Sequence, residues 1–140
     1  MPNTAFSSNV LLRSEQSSDR VAVIENTLPP GFPGPPLHHH AFDEGFYVLE
    51  GELTIQLRET LGTLHAGELA FAPGGVAHTL ANLSPRPVRY LLICTPAGFE
   101  RYFDALRAED TGAPRDPGAA RNYPETIVVG PRIEEARSGA

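Results

Sequence analysis

An all-β fold, a barrel or sandwich of short strands, is predicted by three features of this 140-residue sequence. Short apolar runs recur at close spacing between Val10 and Thr95. They are punctuated by glycines at 67, 74 and 75 and prolines at 73, 85 and 87, residues that set turns and interrupt ladders. Between them there is no helical stretch of the kind a parallel α/β sheet needs for its crossovers. The length favours one domain able to bury roughly two-thirds of the surface its unfolded chain exposes.

Taken in order, Val10 to Arg13 and Val21 to Glu25 read as strands joined by the polar turn Ser14 to Asp19. Val21 and Val23 alternate with Ala22 and Ile24, so both faces of the second strand are expected to be covered. Leu28 to Pro36 carries five prolines and two glycines and reads as a stiff loop that delivers the chain into a histidine run as the rim of a site. Phe42 to Glu50 and Leu53 to Arg58 are expected to pair as a hairpin, with Glu50-Gly51-Glu52 as its turn. Gly62 to His65, Leu69 to Ala72, Ala77 to Ala81 and Val88 to Thr95 complete the strands. After Pro96 the period changes: Phe99, Tyr102, Phe103 and Leu106 fall on one face of a helix over Phe99 to Ala108, packed against the barrel. Residues 1–108 are read as barrel plus helix. Residues 109–140 are read as a Pro/Gly-rich linker, expected to be mobile over Asp110 to Arg121, and a tail in which Thr126 to Val129 docks back and Glu134 to Ala140 is disordered.

Charge and composition narrow the chemistry. The net charge is −6, and all eleven basic residues are scattered arginines, which argues against a nucleic acid or an anionic membrane as partner. With no lysine, Schiff-base chemistry and a lysine general base are excluded. The one cysteine, Cys94, lies in an apolar run and reads as a buried, inert thiol. Met1 to Glu15 carries Asn3, Ser7, Ser8 and Asn9 where a signal peptide needs an apolar core. No membrane span is visible, so a cytoplasmic location is expected.

The chemistry concentrates between Leu37 and Asn82. On a strand, His38, His40, Phe42 and Glu44 share one face and His39 faces away. His78 belongs to a later strand, and the Gly74-Gly75 turn before it allows the bend that brings it across. Three imidazoles and a carboxylate suit one divalent transition metal, Fe, Mn, Ni, Cu or Zn, rather than Ca or Mg. Four protein ligands leave a coordination position open for substrate, water or O₂. Phe42 and Phe46 read as barrel lining, Asn82 as a turn residue bonding its own backbone, and His65 as a surface residue.

These residues resemble the two motifs of the cupin superfamily. The first reads His38-x-His40-x3-Glu44-x6-Gly51 and the second Gly67-x5-Pro73-x-Gly75-x2-His78-x3-Asn82, with fifteen residues between them. The family pattern often opens with a glycine six residues before the first histidine, where this chain has Phe32, which implies a reshaped entry loop. The resemblance, to small quercetin-dioxygenase-like members, implies an antiparallel jelly-roll barrel with the metal inside. It also implies His38, His40, Glu44 and His78 as ligands, and a homodimer formed through the sheets.

The leading functional expectation is a metal-dependent dioxygenase acting on a small aromatic or enolic substrate. As in the flavonol-cleaving members it resembles, Glu44 would leave the metal to take a substrate proton, which requires its pKa to rise toward the operating pH. A non-redox isomerase or polyketide-cyclase-like enzyme, and a small-molecule binding module without turnover, are the rivals.

Overall fold

On β2 (Ala22–Leu28), residues Ala22, Ile24, Asn26 and Leu28 are buried, and the residues between them are half-buried. This period of two requires an apolar layer on one side of the strand, and a second sheet supplies it. The computed structural model describes residues 6–110 and 125–134. One five-stranded sheet runs β1 (Ser7–Leu12), β2, β9 (Val88–Thr95), β4 (Asp43–Glu50), β7 (Leu69–Ala72). The other runs β10 (Ile127–Val128), β3 (His38–His39), β8 (His78–Ala81), β5 (Glu52–Leu57), β6 (Thr60–His65). All recorded pairings are antiparallel. From β2 to β10 the chain crosses repeatedly from one sheet to the other, the winding of a jelly roll. Ile24, Phe46, Val48 and Leu92 from the first sheet and Leu53, Ile55 and Leu80 from the second meet in one core.

The expected hairpin of Phe42 to Glu50 with Leu53 to Arg58 is not formed. β4 pairs with β7 and β9, whereas β5 pairs with β6 and β8. Gly51 carries the chain between sheets instead of turning it back. Its φ is +89°, and a Cβ there would stand 2.6 Å from the Pro87 carbonyl oxygen, so no other residue fits without displacing backbone. The hairpin in this region is β5 with β6, closed at Leu57↔Thr60 by Arg58 and Glu59, with Arg58 at φ +56°.

Several boundaries move. β1 begins at Ser7 rather than Val10, and β2 continues to Leu28, because pairing with β9 holds through Leu28↔Val88. The turn after β1 contains a one-turn helix, α1 (Ser14–Ser17). The C-terminal helix α2 (Glu100–Asp110) packs against β1 and β2. Ile127 and Val128 pair with His39 and His38, making β10 the neighbour of the histidine strand. Most of the proposed linker, and all of the tail beyond Glu134, lie outside the described residues.

Asn82 is the polar fastening of this frame. Fully buried, it donates through Nδ2 to the carbonyls of Leu28, Pro29 and Arg86, and through Oδ1 it accepts from the Ser84 amide and hydroxyl. It therefore bonds its own turn, as expected, and also pins the start of the proline loop.

Candidate metal centre

His38 and His78 are cross-strand partners in the register of β3 and β8. His40 follows β3, where its carbonyl accepts from the Gly75 amide at 2.7 Å. A Cβ on Gly74 would meet the Ala41 carbonyl oxygen at 2.2 Å, and the Gly74 amide donates to Asp43 Oδ1 at 2.7 Å. The Gly74-Gly75 turn thus abuts the loop carrying His40, and only a residue without a side chain allows that approach. Glu44 lies on β4, opposite Ala72 and Cys94, facing inward.

One donor atom from each of His38, His40, Glu44 and His78 lies within 4.8 Å of all the others. Each imidazole is held by its other nitrogen. Nδ1–H of His38 donates to the Pro36 carbonyl at 2.7 Å, that of His40 to Phe42 at 3.0 Å and that of His78 to Val76 at 2.9 Å. A carbonyl can only accept, so these bonds assign the proton to Nδ1 and leave the three neutral rings with lone pairs on Nε2. Nε2 of His40 contacts Glu44 Oε1, and Nε2 of His78 lies 2.9 Å from the same oxygen. Lone pairs converging on a carboxylate oxygen, all but His38 buried, call for a positive charge among them. A divalent transition ion fits this donor set, nitrogen-rich with one carboxylate.

The electrostatics agree. Burial works to raise the Glu44 pKa, but His40 and His78, when protonated at Nε2 as well, donate to the carboxylate and face it with positive charge, which outweighs burial and holds the carboxyl below its usual range. Burial opposes charge on His78, yet Glu44 carries its pKa above the ordinary imidazole value. His38, farther from the carboxylate, is lowered mainly by burial. In this geometry Glu44 is held as an anion beside the two imidazoles. Proton transfer by Glu44 needs it to separate from the two imidazoles.

The donors open into a cavity of about 970 Å³ lined by His38, Glu44 and His78. Phe32, Gly34, Pro35 and Pro36 form a rim from the proline loop, as expected. The helix residues Phe99, Tyr102, Phe103 and Leu106, expected only to pack against the barrel, also line the cavity. Phe42 is buried and stacks on the His40 ring at 3.7 Å between centroids, fixing that ring's rotation, whereas Phe46 lines the cavity. His39 is not among the donors, and His65 is exposed beside Glu52 and Glu68. Cys94 is buried, and burial pushes its thiol far up, so it is no nucleophile.

Four features were missed by sequence reasoning. Asn26 and Tyr90, paired between β2 and β9, line the cavity; Asn26 was visible as the one polar residue on the buried face of β2. The segment carrying Glu125, Val128 and Arg132 supplies another wall; Thr126 to Val129 was read as a short apolar segment docking back, but its place in the cavity wall, beside the histidine strand, was not foreseen. Glu100 is buried, accepting from the Ser14 amide and hydroxyl and the Gly98 amide. No helix among the described residues is long and apolar enough to cross a membrane.

Residues 25–94, which span both motifs, match the family model of the Cupin domain. The chain is similar to the endoribonuclease YbeY of Myxococcus xanthus, 33% identical over 81 residues. That match covers 58% of this chain and only 27% of the relative, so the chain spans about a quarter of the length of the curated relative it matches. Among solved structures it is similar to a predicted oxalate decarboxylase from Thermotoga maritima (TM-score 0.61, 24% identity, 65% of this chain and 80% of that one). It is also similar to TT1209 from Thermus thermophilus (TM-score 0.54, 31% identity, 64% and 84%). A third likeness is to the polyketide cyclase RemF from Streptomyces resistomycificus (TM-score 0.56, 24% identity, 64% of each chain).

Proposed function

This chain belongs to the cupin family, and on that footing we propose that it is a mononuclear metal enzyme of dioxygenase type acting on a small aromatic or enolic substrate. The observation that carries the reading is the set of three imidazoles, each tied at Nδ1 to a carbonyl, meeting one carboxylate at a cavity with aromatic walls. His38, His40, Glu44 and His78 would hold the ion. When bound, a redox-capable ion supplies Lewis acidity toward a substrate oxygen and a partner for O₂.

This chain's own residues do the rest. Phe32, Phe99 and Tyr102 offer flat faces to a planar ring and keep water from it. His40 is held upright by Phe42 and by its own Nδ1 bond, so the donor set keeps its shape while ligands exchange. Glu44 Oε1, freed from His40 and His78, is placed at the cavity to take the proton of a substrate hydroxyl. A homodimer formed through the sheets belongs to the same reading. Leu69 and Phe71 on β7, an edge strand, are 58% and 53% exposed.

A second reading, non-redox isomerisation or cyclisation, is supported by the fold-level likeness to a polyketide cyclase and by a donor set that zinc also suits.

Elemental analysis of untagged protein from cells grown with balanced trace metals, followed by an O₂-electrode screen of phenolic and enolic compounds, tests both. About one Fe, Mn, Ni or Cu per chain with substrate-dependent O₂ uptake supports the dioxygenase. Zinc at that ratio with turnover in the absence of O₂ supports the second reading. A site that is empty and takes up no added metal overturns both and leaves a binding module.

A further inference from the structure

The buried face of β2 reads Ala22, Ile24, Asn26, Leu28, three apolar residues and one amide. Asn26 is fully buried, and its Nδ2 donates to the phenolic oxygen of Tyr90, its register partner on β9, at 3.1 Å. Its Oδ1 has no partner among the described residues. An amide oxygen taken out of water and left unpaired loses more than a neutral hydrogen bond returns, and a leucine of similar size would avoid the loss. The residue is therefore explained by something that enters from outside.

Both Asn26 and Tyr90 line the cavity that the metal donors open into. The ring of Phe46 lies 6.2 Å from that of Tyr90 and 6.0 Å from that of His78, so the amide–phenol pair and the donor set share one chamber. Tyr90 accepts from Asn26 and keeps its own proton to give; burial raises its pKa above the ordinary range, which keeps the phenol protonated. The pair thus holds an open acceptor, Asn26 Oδ1, beside a donor, Tyr90 O–H, in the cavity wall, and a ligand reaches the enclosed oxygen once the side chains over it part. A half-turn of the amide exchanges the roles within the pair, and a ligand hydroxyl, both donor and acceptor, satisfies either arrangement.

We propose that Asn26 and Tyr90 are specificity-determining residues that recognise a hydroxyl group on an aromatic substrate, at a point separate from the four metal donors. The inference rests on the cavity being the substrate site. It narrows the substrate class from aromatic or enolic to hydroxylated aromatic, with one hydroxyl read by the protein rather than by the metal. A site shaped to bond a hydroxyl discriminates against an analogue lacking it, because the buried polar pair is then left unpaired.

The test uses the full chain as purified, its metal occupancy recorded, with phenol and fluorobenzene as near-isosteric probes titrated to their solubility by ligand-observed NMR. Phenol is expected to bind about tenfold more tightly than fluorobenzene to the wild type. In the double variant Asn26→Leu, Tyr90→Phe the ratio is expected to fall to about one, with fluorobenzene binding retained. That variant replaces two paired polar groups with apolar groups of matching shape. Tyr90→Phe alone, which keeps every ring contact, is expected to lower the ratio part of the way and guards against a folding defect in the double variant. Equal binding of the two probes to the wild type, a phenol preference that persists in the double variant, or exclusion of both rings would each overturn the proposal. Because the readout is a ratio of affinities without turnover, it can fail while the metal enzyme stands. It can also succeed while the proposed reaction fails.

Discussion

Glu44→Gln is expected to move stability and metal affinity in opposite directions. In wild-type protein stripped with EDTA and held at about pH 9, where imidazoles are neutral, the Nδ1 protons are committed to the carbonyls of Phe42 and Val76. The Nε2 lone pairs of His40 and His78 then face Glu44 Oε1 with nothing between them. The three residues are 3%, 2% and 4% exposed respectively, too little for solvent to separate them. A glutamine in the same rotamer carries two N–H donors, one for each facing nitrogen, and removes a buried negative charge. Replacing an acceptor–acceptor contact by hydrogen bonds, and sparing a buried unpaired group, is worth about 1–3 kcal/mol. In a chain of this length that corresponds to a rise of about 3–9 °C in Tm.

The same change deletes the only carboxylate of the donor group, so metal occupancy after dialysis against the divalent ion should fall well below that of the wild type. Thermal unfolding followed by circular dichroism, with and without metal, reads the first effect, and elemental analysis reads the second. A variant that is less stable than wild type in EDTA, yet retains full metal occupancy, would refute the assigned tautomers and the ligand set together.

Three further outcomes follow from the frame. Asn82→Ala should cost about 3–5 kcal/mol in urea unfolding, since it strands three carbonyls and the Ser84 amide, while leaving metal content unchanged; Asn82→Asp should be no better, because its oxygen would face those carbonyls. Burial works to raise the Glu100 pKa, but donors from Ser14 and Gly98 outweigh it and lower it on folding. The stabilisation is therefore present above the unfolded carboxylate value and lost as pH falls through the lower folded one, and Glu100→Gln should flatten stability against pH below about 4.5. Gly51→Ala, forced to φ +89° with its Cβ against the Pro87 carbonyl, should lower stability by at least about 2 kcal/mol, read as a drop in Tm.

Much of the site was legible because its signals are local. Spacing by two put His38, His40 and Glu44 on the face of one strand, and the Gly74-Gly75 turn announced the bend before His78; the donors do converge, but from β3, the loop after it and β4, which lie in different sheets. The structure gathers these four donors. The strand over Val88–Thr95 was readable to the residue, since Tyr90 to Cys94 is an unbroken apolar run and Pro87 and Pro96 bound the segment. The aromatic face of α2 was likewise readable as a face, but not as a cavity wall, because a helical period says which residues turn inward and nothing about what lies there.

What only the tertiary structure decided is which strands meet. Glu50-Gly51-Glu52 has the composition of a hairpin turn, yet Gly51 sends β5 into the opposite sheet. Nothing between Phe42 and Arg58 distinguishes the two outcomes, because the choice rests on β9 and β7 claiming both edges of β4. Asn26 could be seen as a polar residue out of place, but its partner Tyr90 lies 64 residues away. A backbone alternation is a property of neighbours in sequence, whereas register, cavity walls and an unpaired amide oxygen are properties of residues that become neighbours only once two sheets close on one another.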